Sequence, residues 1–269
     1  MSICFANVSP ASRGTAMLAT YTTDGEKIPA VFLPDALPEK FNWSMLRGTA
    51  APVSISDGNK KLVSSPVTRF LIWSLPAVKT CPFRTAQCEH SCYARKAEKA
   101  YPDCLPAREK NLLFSRSPLF VPFMVRALHY VAALPAYRSA KHITVRIHES
   151  GDFYSVDYLE KWLDIAAACR DIPNMDFAAY TKSLPFLRVA ASHGYDIHAA
   201  NIRFVSSIWD DTAPARIEDT AALRLPIYTA FPAETWDASY TRCRCEDCGN
   251  CRHCFAGPDA VDRNAVVIH

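Results

Sequence analysis

The chain has 269 residues, 49% hydrophobic and 21% charged, with 30 Lys+Arg against 27 Asp+Glu and a formal net charge of +3. This balance excludes a disordered, collagen-like or coiled-coil chain, and it neither demands nor excludes nucleic acid. A chain this long buries a full core without needing disulfides or metals to fold. The most apolar long stretch, residues 118–135, is broken by Arg126 and His129, so no membrane span and no membrane partner are expected. The start, MSICFANVSP, lacks the basic and long apolar run of a secretory signal, and a cytoplasmic location is expected. In that setting the 11 cysteines point to metal or catalysis rather than to a disulfide framework.

Residues 1–66 read as a weakly patterned lead-in that packs on the core, with turn signals at Asp24-Gly25 and Asp57-Gly58-Asn59. Residues 67–75 (VTRFLIWSL) predict a strand, followed at once by a cysteine-bearing loop over about 80–104. Helices are expected over about 106–115 and 119–134, the second with Phe120, Phe123, Met124, Ala127, Leu128 and Val131 on one face. Residues 143–148 alternate, with Ile143, Val145 and Ile147 opposite Thr144, Arg146 and His148. Ser155 caps a helix carrying Leu159, Trp162, Leu163 and Ala166. Strands at 175–181, 201–207 and 225–231 alternate with a helix at 184–193, stopped by Gly194, and a short helix opened by Asp211-Thr212 and Pro214.

Alternating strands and helices predict an α/β domain over 67–242 with parallel strands: a partial or distorted β/α barrel, or an open sheet. Residues 243–269 form a cysteine-rich C-terminal appendage. In either architecture, active residues gather at the strand C-termini. His148, Glu149 and Asp152 follow one strand, Tyr180, Thr181 and Lys182 end the next, and Ser206 and Ser207 end the one after.

The tail places Cys245, Cys248, Cys251 and Cys254 three residues apart, with Cys243 as a further donor. Such a run wraps a compact iron–sulfur core, whereas zinc more often takes two separated cysteine pairs. The first set is Cys81, Cys88 and Cys92, with Cys104 or His90 in reach of a fourth position. Three thiolates hold three irons of a [4Fe–4S] cube and leave one iron open. Two [4Fe–4S] clusters are therefore expected, with zinc as the alternative metal. Cys169, within a predicted helix, reads as a buried apolar residue.

A polar strand face ending in His148, Glu149 and Asp152, joined by Tyr180 and Lys182, reads as the wall of a catalytic site. His148 is a candidate proton donor or hydrogen-bond donor to the cluster. Gly151 supplies a tight turn or a close backbone approach. Lys182 is a candidate for binding an anionic substrate or a cofactor carboxylate. Arg84, Arg95, Lys96, Lys99, Arg108 and Lys110, interleaved with Tyr93 and Tyr101, offer nucleic acid a basic surface, diluted by Glu89, Glu98, Asp103 and Glu109.

Thr80-Cys81-Pro82, Cys88, Cys92-Tyr93-Ala94, Asn111, Arg146-Ile147-His148, Ser150-Gly151-Asp152-Phe153-Tyr154, Trp162, Tyr180-Thr181 and Cys254-Phe255 together resemble the "gene product 88" family of phage and plasmid proteins. More distantly, the layout is similar to radical S-adenosylmethionine enzymes, which are partial β/α barrels with a three-cysteine loop after the first strand. That likeness implies S-adenosylmethionine as a cofactor, with Glu149, Ser150, Gly151, Asp152 and Ser206 binding it. The loop here is C-x6-C-x3-C, whereas that family uses C-x3-C-x2-C.

These readings lead to an iron–sulfur enzyme, reductive or radical, acting on a nucleotide or nucleic acid and fed by an electron donor of the ferredoxin or flavodoxin kind. The rivals are a zinc-stabilised nucleic-acid-binding protein and an electron-transfer or redox-sensing iron–sulfur protein.

Overall fold

The computed structural model describes residues 15–18, 31–34, 36–48, 50–232, 237–243, 248–255 and 262–268. Strands β1 (Thr15–Leu18) and β2 (Val31–Pro34) form an antiparallel pair, and a 3-10 turn follows at Trp43–Met45. The main body then runs β3 (Ile55–Ser56), β4 (Thr68–Trp73), α1 (Ala86–His90), α2 (Tyr93–Ala100), α3 (Cys104–Ser115), α4 (Phe120–Ala133) and α5 (Pro135–Arg138). It continues β5 (His142–Ile147), α6 (Val156–Ala168), β6 (Met175–Thr181), α7 (Leu184–Ser192), β7 (Ile202–Ser207), α8 (Pro214–Ala222) and β8 (Ile227–Pro232). Last come β9 (Thr241–Arg242), α9 (Cys248–Cys251) and β10 (Arg263–Ile268).

Eight strands make one sheet in the order β3-β4-β5-β6-β7-β8-β10-β9. All neighbours are parallel except β3, which pairs antiparallel with β4. The sheet ends in β3 on one side and β9 on the other and does not close, so the architecture is an open, mostly parallel α/β sheet. The expected strands appear nearly where alternation placed them, and β6 spans 175–181 as predicted. Three members of the sheet were not foreseen: the two-residue β3 and β9, and the C-terminal β10, which inserts between β8 and β9.

One face of the sheet carries the main core. Leu71, Trp73, Ile143, Val145, Ile147, Phe177, Ala179 and Phe204 pack there against Phe123, Leu128, Leu159, Trp162 and Leu187 of α4, α6 and α7. These helices follow one another along that face, α4 against α6, α6 against α7 and α7 against α8. Ser155 caps α6 as expected, its side chain accepting from the Tyr158 amide. Cys169 lies in this core, fully buried.

The opposite, inner face is covered by the cysteine tail. Phe255 packs on Phe70, beside Ile72, Leu62 and Ala178. Arg252, itself buried, donates to Asp176 at 2.9 Å and to Thr144 at 3.2 Å. Thr68 Oγ1 donates to the Gly249 carbonyl, and the Cys248 amide donates to the Lys61 carbonyl. The tail is thus pinned across β4, β5 and β6.

Candidate functional site

The C-terminal ends of β4 to β7 share one edge of the sheet, and the residues singled out in the sequence arrive there from separate loops. After β4 the chain enters the first cysteine loop, which short helices stiffen. Thr85 caps α1 by accepting from the Cys88 amide, and α2 begins immediately after Cys92. A buried clamp fixes α2 against α3: Glu98 accepts from the Ala77 amide and pairs with Arg108 at 2.8 Å, and Arg108 also donates to the Ala94 carbonyl. Asn111 of α3 accepts from the Ser54 amide and donates to the Ser54 and Ser74 carbonyls, joining β3 to the end of β4.

The clamp changes the reading of the basic cluster. Arg108 and Lys110 are buried and spent internally, Lys110 donating to the Gly48 carbonyl at 2.7 Å. Arg84 and Arg95 both face Glu89. Only Lys96 and Lys99 of the six remain as exposed charges with no ion pair among the described residues. The run of cations in sequence is therefore not a continuous basic stripe.

Cys81 and Cys88 lie within electrostatic range of each other and of Cys92. Burial pushes the Cys81 thiol up to about 12, and Asp152, Cys88 and Cys92 add negative potential to it. Burial also raises Cys88, which feels Lys182 in the opposite sense, then Cys92, Asp152 and Asp211. Cys104 opens α3 and has Arg108, Glu98 and Glu149 as its charged neighbours. Among the described residues, no three His, Cys, Asp or Glu side chains stand close enough to hold a single metal ion. Cys245 lies outside the described residues.

Gly151 meets both expectations held for it. Its φ is +82°, and a Cβ there would stand 2.5 Å from Thr80 Oγ1 and 2.7 Å from Leu75 Cβ. That approach lets the Ser150 carbonyl accept from the Leu75 amide, stitching the β5 loop to the β4 loop. The Ser150 hydroxyl is buried without a partner among the described residues. Glu149 accepts from Asn59 through its carboxylate and from the Tyr93 hydroxyl through its carbonyl.

Asp152 is buried and fully engaged. It accepts from the Phe153 amide, from Thr181 Oγ1 at 2.6 Å and from the Lys182 amide at 2.8 Å. Burial raises its pKa and these donors oppose the rise. Lys182 is buried too, and Nζ donates to the Ser207 carbonyl and hydroxyl, both at 2.8 Å.

Three other residues stand elsewhere. His148 was expected on the polar face with Thr144 and Arg146. Instead the backbone turns left-handed at His148 (φ 63°) and sends the ring back into the helix-side core. There Nε2 meets the Tyr158 hydroxyl at 2.9 Å, and Phe153 packs edge-on at 4.6 Å. Burial, with Arg146 adding to it, lowers its pKa to about 3. Ser206 also faces the helices, bonded to Thr220 of α8. It is Ser207, one residue later, that reaches Lys182.

Tyr180 lies on the inner face under the tail. The Arg146 guanidinium sits 3.8 Å above its ring, and Cys254 is its hydrogen-bonding neighbour. Arg146 acts electrostatically on Cys254 of the tail and on Tyr93 beside Cys92, so it stands between the two cysteine sets.

The sequence pattern of the gene product 88 family matches residues 51–257. The chain belongs to that family. No curated protein and no solved structure matches it. The matched span of this gene product 88 protein takes in the first cysteine loop, the Glu149–Asp152 turn, Lys182 and most of the tail. Residues outside the sequence expectation also line this edge. Asp211, read as a helix opener, accepts from the Gln87 amide at 2.7 Å and so ties the β7 loop to the cysteine loop. No local motif announces a contact across that sequence separation.

Proposed function

We propose that this protein carries iron–sulfur clusters on its two cysteine sets and acts as an enzyme at the C-terminal edge of its parallel sheet. The observation that carries the reading is the placing of Cys81, Cys88 and Cys92 on one loop at the C-terminal edge of the sheet, with Cys81 and Cys88 within electrostatic range of Cys92, Asp152 and Lys182. The donor chemistry supports the reading: soft thiolates favour iron–sulfur clusters or zinc over hard cations. Buried thiols that hold their protons when bare release them when they bind a metal. Cys248, Cys251 and Cys254, with Cys245, supply the donors of the second set. An open-site cluster would supply a reducible iron with one vacant position.

The protein's own residues have separate tasks. Asp152 holds the β5 and β6 loops in register beside the thiols. Lys182 places a positive charge next to Cys88. Arg146 sets a positive charge between the two cysteine sets. A radical mechanism with S-adenosylmethionine is the finer form of the proposal, and it rests on Glu149–Asp152 following β5 directly beside the loop.

Anaerobic purification followed by iron and sulfide analysis tests the reading. The expected result is a brown protein with iron and sulfide in comparable amounts, reduced by Cys88→Ser and Cys92→Ser. Fewer than about two irons per chain, with stoichiometric zinc instead, rejects it. Electron paramagnetic resonance of the reduced protein with and without S-adenosylmethionine separates the radical form, which changes the signal, from an electron-transfer protein, which does not.

A further inference from the structure

A cavity of about 430 Å³ opens beside the cysteine loop, between residues 83–86, the end of β6 and residues 207–216. Cavities in this size range hold small organic ligands. Lys182 forms part of its wall. A buried lysine ordinarily has an ion-pair partner, because an ammonium taken out of water loses several kcal/mol of hydration. Here no carboxylate lies within ion-pairing distance of Nζ among the described residues, and both of its hydrogen bonds go to Ser207.

The nearest acids act on Lys182 only at longer range, and both are occupied. Asp152 takes the three protein donors described above. Asp211 accepts from the Gln87 amide and the Thr85 hydroxyl. Arg84 and Arg216, on the rim, are paired with Glu89 and Asp219.

What remains unspent in the cavity is donors. The ammonium has a third proton. The Ser207 hydroxyl accepts from Lys182 and keeps its own proton. The Thr212 hydroxyl accepts from the Trp209 amide at 2.8 Å and keeps its own. A ligand suited to such a lining brings acceptors and negative charge. Asp211, its carboxylate held by Gln87 and Thr85, also lines the cavity, and the apolar part of the wall is Phe83, Leu184, Ile208 and Ala213, with Phe83 fixed edge-on against Phe186 at 5.0 Å.

We propose that this cavity binds a small organic anion, its phosphate or carboxylate on Lys182, Ser207 and Thr212 and its apolar body against Phe83 and Ile208. The proposal builds on the functional reading above by naming the substrate class, since the cavity adjoins the same cysteine loop. It does not depend on which metal the thiols hold.

The test is calorimetric titration of the purified protein with adenosine 5′-monophosphate, benzoate and adenosine, followed in parallel by tryptophan fluorescence, because Lys182 lies 5.5 Å from the Trp209 ring centre. Saturable binding of at least one anion, weaker or absent binding of adenosine, and competition by inorganic phosphate are expected. Saturation by the nucleotide alone assigns a phosphate, and saturation by benzoate alone a carboxylate. Lys182→Met should weaken the anion by about tenfold or more, as loss of a charge-assisted hydrogen bond implies, while Lys182→Arg retains part of the affinity. Competition by phosphate in the unaltered protein needs no variant and covers the case in which Lys182→Met misfolds. Failure of both anions to bind, or adenosine binding as tightly as its phosphate, overturns the proposal. Iron analysis remains independent: a protein with full iron and no anion binding loses only this inference, and a zinc protein that binds the anion loses only the previous one.

Discussion

Gly151 shows what a single residue does for this site. Two separate constraints meet there, a left-handed backbone and contact with the β4 loop. Gly194 has the first without the second: its φ is +91°, but nothing lies within 4 Å of a Cβ placed there. The pair separates the two terms. Gly194→Ala should cost about 1 kcal/mol, the strain of placing an L-residue at positive φ. Gly151→Ala should cost about 2–4 kcal/mol, because overpacking against Thr80 and Leu75 adds to that strain. Urea unfolding of the two variants checks this, and equal losses would remove the close approach as an explanation. Since Thr80 immediately precedes Cys81, Gly151→Ala should also change the reactivity of Cys81 toward alkylating agents, and Gly194→Ala should not.

Elements meet across sequence distance at the tail. Arg252 has a left-handed backbone (φ 47°), and its side chain enters the inner face between β5 and β6 to reach Asp176 and Thr144. Both members of the Arg252–Asp176 pair are nearly out of solvent, so breaking it from one side leaves a bare buried charge. Arg252→Met should therefore lower stability by about 3–5 kcal/mol and loosen the segment carrying Cys248, Cys251 and Cys254. Arg252→Met combined with Asp176→Leu should recover much of the loss, since no charge is then stranded. Thermal unfolding reads the stability, and the alkylation rate of Cys254 reads the docking. If the single variant alkylates no faster than the unaltered protein, the ion pair is not what holds the tail on the sheet.

Across the whole molecule, the sequence showed strands where each was a short apolar run between turn signals, and helices where one face repeated. It also showed which edge of the sheet the candidate residues after the strands would share, because in a parallel sheet every loop after a strand opens there. It could not show β10, six residues whose place between β8 and β9 depends on pairing with distant chain. Nor could it show His148, where alternation continued on paper but one positive φ reversed the side chain's direction. That reversal has a global consequence. His148 is neutral in the folded protein down to about pH 3, whereas in the unfolded chain it takes a proton near 6.5. Between those values the unfolded state holds one proton more, so stability falls as pH falls, by about 1.4 kcal/mol per unit. Asp152 and Asp176 act in the other direction: burial raises both above 3.8, so the stability they contribute is greatest at low pH and is lost as pH rises through their folded values. A raw acid titration mixes these contributions, and the comparison with His148→Gln separates them. Glutamine cannot titrate and can still bond the Tyr158 hydroxyl. The difference in unfolding free energy between the unaltered protein and the variant should be constant above about pH 7 and then shift steadily in favour of the variant toward pH 4. Parallel curves over that interval would show that the imidazole is not held neutral in the core.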